Sequence, residues 1–412
     1  MATERGVGRR RVLGLVGSAA LGAAAGGGVV HASGDSRTRD DRPARGGGEQ
    51  VRRGGDTLSP WGRHQPGVAA APAAVTTWVA LDLLPALHRS RDRDALGRML
   101  RVLTGDVEAL TEGRGAPGDP APWLAVGGAD LTITVGLGPR LLDGRWGLPA
   151  PAGWGRVPPM RHDRLRERWS GGDLVVAVAG RDATTVGHAV RRLVADVGPF
   201  ATPRWRQTGS WNGLDADGRP VTGRNWFGQV DGSANPRPGT ALFDETVWID
   251  DGPWAGGTTL VLRRIRMDLT TWDRLTRIDQ ERSVGRDLAT GAPLGGGKEH
   301  DDVDLEARVD GRLVVARDAH VRRSHPSLNG GVRIFRKGAN YEEHDPATGE
   351  TEAGLFFASA QADLMGQFVP IQRTLDESDA LNEWTTAIGS AEVAVLPGFE
   401  QGEWLGRSLL EG

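Results

Sequence analysis

With 412 residues and a formal net charge of −3 at pH 7, the chain carries no whole-molecule field that would draw it to nucleic acid or a membrane surface. It has no cysteine, which excludes disulfides, iron–sulfur clusters and thiolate-ligated metals, so any metal must be held by imidazole or oxygen. The length leaves room for two domains of ordinary size behind an N-terminal extension.

The extension opens on Arg9-Arg10-Arg11-Val12-Leu13 and continues as a glycine- and alanine-rich apolar run to Val30. A charged start, a weakly apolar middle and small residues around His31-Ala32-Ser33 make the pattern of a twin-arginine export signal over residues 1–32. The run is too rich in Gly and Ala to favour a membrane anchor, and no cysteine exists to carry a lipid. The expected partner is the twin-arginine translocase, and the expected location is periplasmic or extracellular. Because that route carries folded proteins, often around a cofactor, it points to a cofactor-bearing enzyme. Residues 33–74 are rich in Arg, Asp and Gly, bury too little to offset ordering entropy, and read as a disordered linker.

Apolar periodicity begins at Val75. It predicts a strand over 76–83 and a helix over 92–110, with Leu96, Met99, Leu100, Leu103, Val107 and Leu110 on one face. Strands follow at 131–137 and 173–179, then a helix at 182–197 and a strand near 204–211. This order is that of a ferredoxin-like unit. It recurs as a strand at 258–267, a helix at 269–285, strands at 331–336 and 354–360, a helix at 363–375 and a strand within 392–396. The expectation is an α+β fold of two tandem ferredoxin-like units, 75–222 and 223–412, in a dimeric α/β-barrel-like arrangement. The segment 285–318 lacks periodicity, and a loop so long is usually functional or disordered. Its place just before His320 suggests a wall of the ligand site.

The second unit opens on Gly228-Gln229-Val230-Asp231-Gly232-Ser233-Ala234-Asn235-Pro236. Small residues leave Asp231 unshielded, and the glycines let the backbone turn sharply and approach a flat ligand. Further on come Asp318-Ala319-His320-Val321-Arg322-Arg323-Ser324-His325-Pro326 and Arg333-Ile334-Phe335-Arg336-Lys337-Gly338. A positioned carboxylate moves protons, a role worth roughly 10²–10⁴ in rate. A guanidinium stabilises developing negative charge. Among the histidines, His31 and His64 lie in the extension, His88, His162 and His188 in polar or helix-surface settings, and His300 in a solvated acidic run. His320, His325 and His344 remain as candidate metal ligands.

Gly-x-x-Asp-Gly at 228–232, Asp-Ala-His-Val-Arg at 318–322 and Arg336 resemble the dye-decolorizing peroxidases, including their deferrochelatase/peroxidase-like branch. The resemblance spans roughly Val75 to the C-terminus and is strongest from Trp226 to Phe368. It implies haem b (iron protoporphyrin IX), held in the C-terminal half, and a peroxidase that uses hydrogen peroxide to oxidise dyes and small phenolic or aromatic reductants. It picks His320 as axial ligand, Asp231 as distal acid/base and Arg336 as charge stabiliser. By the same resemblance Gly232, Ser233, Ala234, His325, Pro326 and Ser327 contact the haem, as does Arg336, and Arg286 reaches a propionate. Ser233 stands where threonine is common in the family. A proximal imidazole usually donates its second N–H to a carboxylate. Asp363 is the candidate, with a helix N-cap as its other reading. Two alternatives stand beside the peroxidase: a deferrochelatase working with a ferrous-iron permease, and a non-catalytic haem carrier, against which the Asp231/Arg336 pair argues. Among fourteen tryptophans and one tyrosine, Trp384 and Trp404 are candidates to relay electrons to bulky substrates. A homo-oligomer is compatible with the sequence.

Overall fold

The computed structural model describes residues 58–411 except 126–129, 345, 347 and 348. The export signal and most of the linker therefore lie outside the described residues.

Ten strands are described. They are β1 (Val75–Leu83), β2 (Thr132–Leu137), β3 (Leu174–Gly180), β4 (Ala201–Ser210), β5 (Thr258–Met267), β6 (Arg308–Val309), β7 (Arg312–Leu313), β8 (Phe335–His344), β9 (Thr351–Gln361) and β10 (Thr385–Val395). Eight of them close a barrel in the order β1-β3-β2-β10-β5-β9-β8-β4, while β6 and β7 form a separate hairpin. Within the barrel, β4-β1-β3-β2 and β10-β5-β9-β8 each have the antiparallel strand order of a ferredoxin-like sheet. The fold is thus α+β, with two ferredoxin-like units joined edge to edge. One seam pairs Ala394 with Leu137 and Val395 with Gly136; the other pairs Ser210 with Asn340. Closure removes the free edges that two separate sheets would present.

The first-half helices follow the apolar spacing. Helix Arg93–Thr111 is capped by Asp92, whose side chain accepts from Ala95 N at 2.8 Å, and it buries Leu96, Met99, Leu100 and Leu103. Helix Ala183–Asp196 is capped in the same way by Asp182. Both pack on one core with the outer faces of β1, β2 and β3.

The second half departs from expectation in three places. The helix predicted over 269–285 is two pieces, Leu269–Trp272 and Arg277–Val284, ending on Gly285 at φ 91°. The strand predicted over 331–336 runs instead from Phe335 to His344. Its polar residues are accommodated because Arg264, nearly fully buried on β5, pairs with Glu343 at 2.9 Å and Glu352 at 2.8 Å. Strand β10 begins at Thr385, well before 392, and its periodicity is hidden by buried Ser390 and Glu392.

Candidate active site

The Asp231 loop is built by short-range hydrogen bonds. Asp231 N donates to Gly223 O at 3.0 Å, Asn225 N to Gln229 O at 3.1 Å, and Gly228 turns at φ 77°. Asn225 Nδ2 donates to the Asp231 carboxylate at 3.3 Å and to Gln229 Oε1 at 3.1 Å. The loop is then fastened to β8 by a reciprocal pair: Asn235 Nδ2 donates to Arg336 O at 2.7 Å and Arg336 N donates to Asn235 Oδ1 at 3.1 Å. This brings the Arg336 guanidinium to 3.6 Å from the Asp231 carboxylate, with both side chains still partly exposed. The structure thus brings together Asp231 and Arg336, both expected from the sequence, through Asn235, which the sequence did not single out.

His320 begins the single-turn helix His320–Arg323. Arg323 clamps this turn to the carbonyl of Thr374 at 2.9 Å, and Arg322 clamps it to the carbonyls of Leu305 and Val315. Since a carboxylate can only accept, His320 Nδ1 carries the proton and donates it to Asp379 Oδ2 at 2.6 Å. Asp379 is itself fixed by Leu381 N, which donates to its other oxygen at 3.0 Å. Burial lowers the His320 pKa, the charge and hydrogen bond of Asp379 raise it by more, and the net value lies above the ordinary imidazole. Nε2 has no hydrogen-bond partner among the described residues, and the exposed fifth of the side chain belongs to a residue that lines a cavity.

That cavity brings together His320, Arg336, Ala234 and Pro326 with Ser324, Arg333, Ile334, Phe357, Phe368 and Leu375. The residues fit a haem. An imidazole nitrogen is free, the walls are largely apolar, and Arg333 has no carboxylate within 4.0 Å among the described residues, which leaves it free for a propionate.

Several expected contacts fall elsewhere. Asp363 is corrected to Asp379 as the imidazole's partner: its carboxylate accepts from Gly366 N at 2.6 Å, the ordinary N-cap geometry. Arg286 is buried and donates to the carbonyls of Gly291, Glu299 and Asp301, so its fork holds its own loop and it does not line the cavity. His325 engages Asp302 at 3.0 Å through Nε2 and Ser327 Oγ at 2.8 Å through Nδ1, which leaves it no nitrogen for a metal. Gly232 and Ser233 continue the Asp231 loop, where Asn235 N donates to Gly232 O at 2.9 Å. Exposed His344 faces Thr351. The 285–318 segment supports the Asp231 loop, where Ser233 Oγ donates to Glu299 at 3.1 Å.

The family model described as Dyp-type peroxidase, N-terminal, matches residues 65–210, and that described as Dyp-type peroxidase, C-terminal, matches residues 222–400. A dye-decolorizing peroxidase of Thermobifida fusca (strain YX) is 38% identical over 373 residues, covering 84% of each chain. A deferrochelatase of Shigella flexneri serotype 5b (strain 8401) is 31% identical, covering 85% of this chain and 87% of its own. Among solved structures, a DyP-type peroxidase from Cellulomonas bogoriensis is 42% identical with a TM-score of 0.81, covering 87% of this chain and 99% of its own. Ferric DtpA from Streptomyces lividans is 36% identical, also at a TM-score of 0.81, covering 87% of this chain and 98% of its own.

Proposed function

The chain belongs to the Dyp-type peroxidase family, and from that premise we propose that Asp231 and Arg336 perform its catalysis at a haem held through His320. It is an enzyme, a peroxidase that takes hydrogen peroxide and an oxidisable substrate, and its cofactor is haem b.

When bound, haem supplies the electrons that split the peroxide O–O bond and the oxidising power then passed to the reductant. The rest belongs to the chain. His320 offers Nε2 to the iron, and Asp379, accepting from Nδ1–H, makes the imidazole a stronger donor and fixes its orientation. Arg333 and the apolar walls hold and enclose the ring. Asp231 takes a proton from one peroxide oxygen and returns it to the other. Arg336, permanently charged, stabilises negative charge on the departing oxygen without having to be protonated first. Asn225 and Asn235 keep acid and cation at working distance.

The observation that carries this reading is the Asp231–Arg336 pair at 3.6 Å beside the cavity that receives His320. In the test, His320→Ala should lose most of its haem and of its peroxide-dependent dye oxidation. Wild-type haem content and activity in that variant would remove His320 from the iron.

The 31% identity to a deferrochelatase supports a second reading, iron release from haem, working with a ferrous-iron permease. Intact haem after many peroxide turnovers favours the peroxidase; free iron and metal-free porphyrin favour the alternative. The start Arg9-Arg10-Arg11 supports export through the twin-arginine translocase. For bulky reductants, Trp384 is the better-placed relay, since its ring meets Trp272 at 5.2 Å on the side of Asp379; Trp404 lies under Arg101 in the first-half core.

A further inference from the structure

Alternation along β8 sends Arg336 and Lys337 to opposite faces. Arg336 meets the cavity with His320, whereas Lys337 meets a second cavity inside the barrel. An eight-stranded barrel is just wide enough for side chains to fill. Here Trp78, Trp205, Tyr341 and Phe356 fill part of the interior. The remainder stays open because Ala177, Ala179, Ala358 and Ala360 project too little.

The polar groups of this space converge at its cap. Lys337 Nζ donates to Gly67 O at 2.8 Å. A Cβ on Gly67 would stand 2.2 Å from Thr134 Oγ1 and 3.2 Å from Thr132 Oγ1, so amine and hydroxyls meet around one glycine. Neither hydroxyl has a hydrogen-bond partner among the described residues, and no carboxylate lies within 4.0 Å of Lys337. An apolar space with a few convergent polar groups is the architecture of a small-molecule site.

We propose that this barrel-interior cavity binds a small, mainly apolar aldehyde, which Lys337 holds as a reversible imine. The Nζ lone pair attacks the carbonyl carbon and a C–N bond forms. The carbonyl oxygen departs as water with both amine hydrogens, and hydrolysis reverses the step, so no oxidant or reductant is needed. Burial lowers the Lys337 pKa to about 7, which keeps a large fraction as the free amine that addition requires. An arginine would stay charged and could not add to a carbonyl. The chain otherwise relies on arginine: of fifty lysines and arginines together, Lys298 and Lys337 are the only lysines.

That composition also makes the test clean. Holoprotein at pH 7 is treated with benzaldehyde and cyanoborohydride, which fixes imines as benzylamines, and is then mapped by peptide mass spectrometry. Exposed Lys298 serves as the internal reference. Lys337 should be labelled about tenfold or more ahead of Lys298, since an ordinary lysine of pKa about 10.4 is almost wholly protonated at pH 7. Ala177→Phe, which fills the cavity, should suppress the Lys337 label and leave Lys298 unchanged; excess toluene, matching the probe without its carbonyl, should do so in the unaltered protein. Labelling confined to Lys298, or a Lys337 label that neither treatment lowers, overturns the proposal.

Discussion

His320 can present one ring nitrogen to the cavity because Asp379 occupies the other at 2.6 Å. Asp379→Asn keeps an acceptor but removes the charge. We expect a higher iron reduction potential and a roughly 10–100-fold slower peroxide reaction. A redox titration giving the wild-type potential would assign Asp379 a merely structural part. The motifs around Asp231 and Arg336 were legible because each lies in one short stretch. Asp379 was not, since 59 positions separate it from His320 and no spacing rule links them. Asp363 offers the same carboxylate, yet an Asp just before a helix finds its local N–H donors first. Lys337 gives a second prediction. With burial lowering its folded pKa to about 7 from the ordinary lysine value of 10.5, the unfolded chain binds a proton between these values that the folded chain does not. Stability should therefore rise with pH across that window. Lys337→Met should exceed the wild type by on the order of 2–4 kcal/mol near pH 7, and the gap should close toward pH 10.5. A gap that does not vary with pH would mean that Lys337 titrates normally.

Elements carry the site residues into place, and two joints matter most. Gly285 ends the Arg277–Val284 helix at φ 91°, and a Cβ there would stand 2.3 Å from Val321 Cγ1, one residue from His320. Gly285→Ala should therefore displace the His320 turn and speed haem transfer to apomyoglobin, with both backbone strain and a clash acting together. An unchanged transfer rate would show that the turn absorbs the shift. Asn235→Ala removes both bonds between the Asp231 loop and β8, a loss of about 1–3 kcal/mol. Turnover should fall while haem content holds, which a steady-state assay beside an absorbance ratio would read. Strands with apolar alternation, β1, β2, β3 and β5, were legible nearly to their ends. The bounds of β8 and β10 were not, because their inward residues include charged and hydroxyl groups paired across the barrel, such as Glu343 with Arg264.

At the scale of the whole molecule, the two ferredoxin-like units could be read from element order and their barrel-like arrangement was expected, but the strands that close the barrel could not be named. The seams rest on very few residue pairs, and no local pattern marks them. The proposed export concerns the chain as a whole. Replacing Arg9 and Arg10 by lysine should leave the protein in the cytoplasm, as cell fractionation would reveal, and continued export would point to another route. The central claim is that a carboxylate and a guanidinium 3.6 Å apart act on peroxide at a haem held by His320. Its most direct test is stopped-flow absorbance of the ferric holoprotein mixed with one equivalent of hydrogen peroxide, wild type beside Arg336→Leu. The account predicts an unchanged resting Soret band in the variant and a peroxide-induced shift slowed by roughly 10²–10³. Equal rates in the two proteins would contradict it.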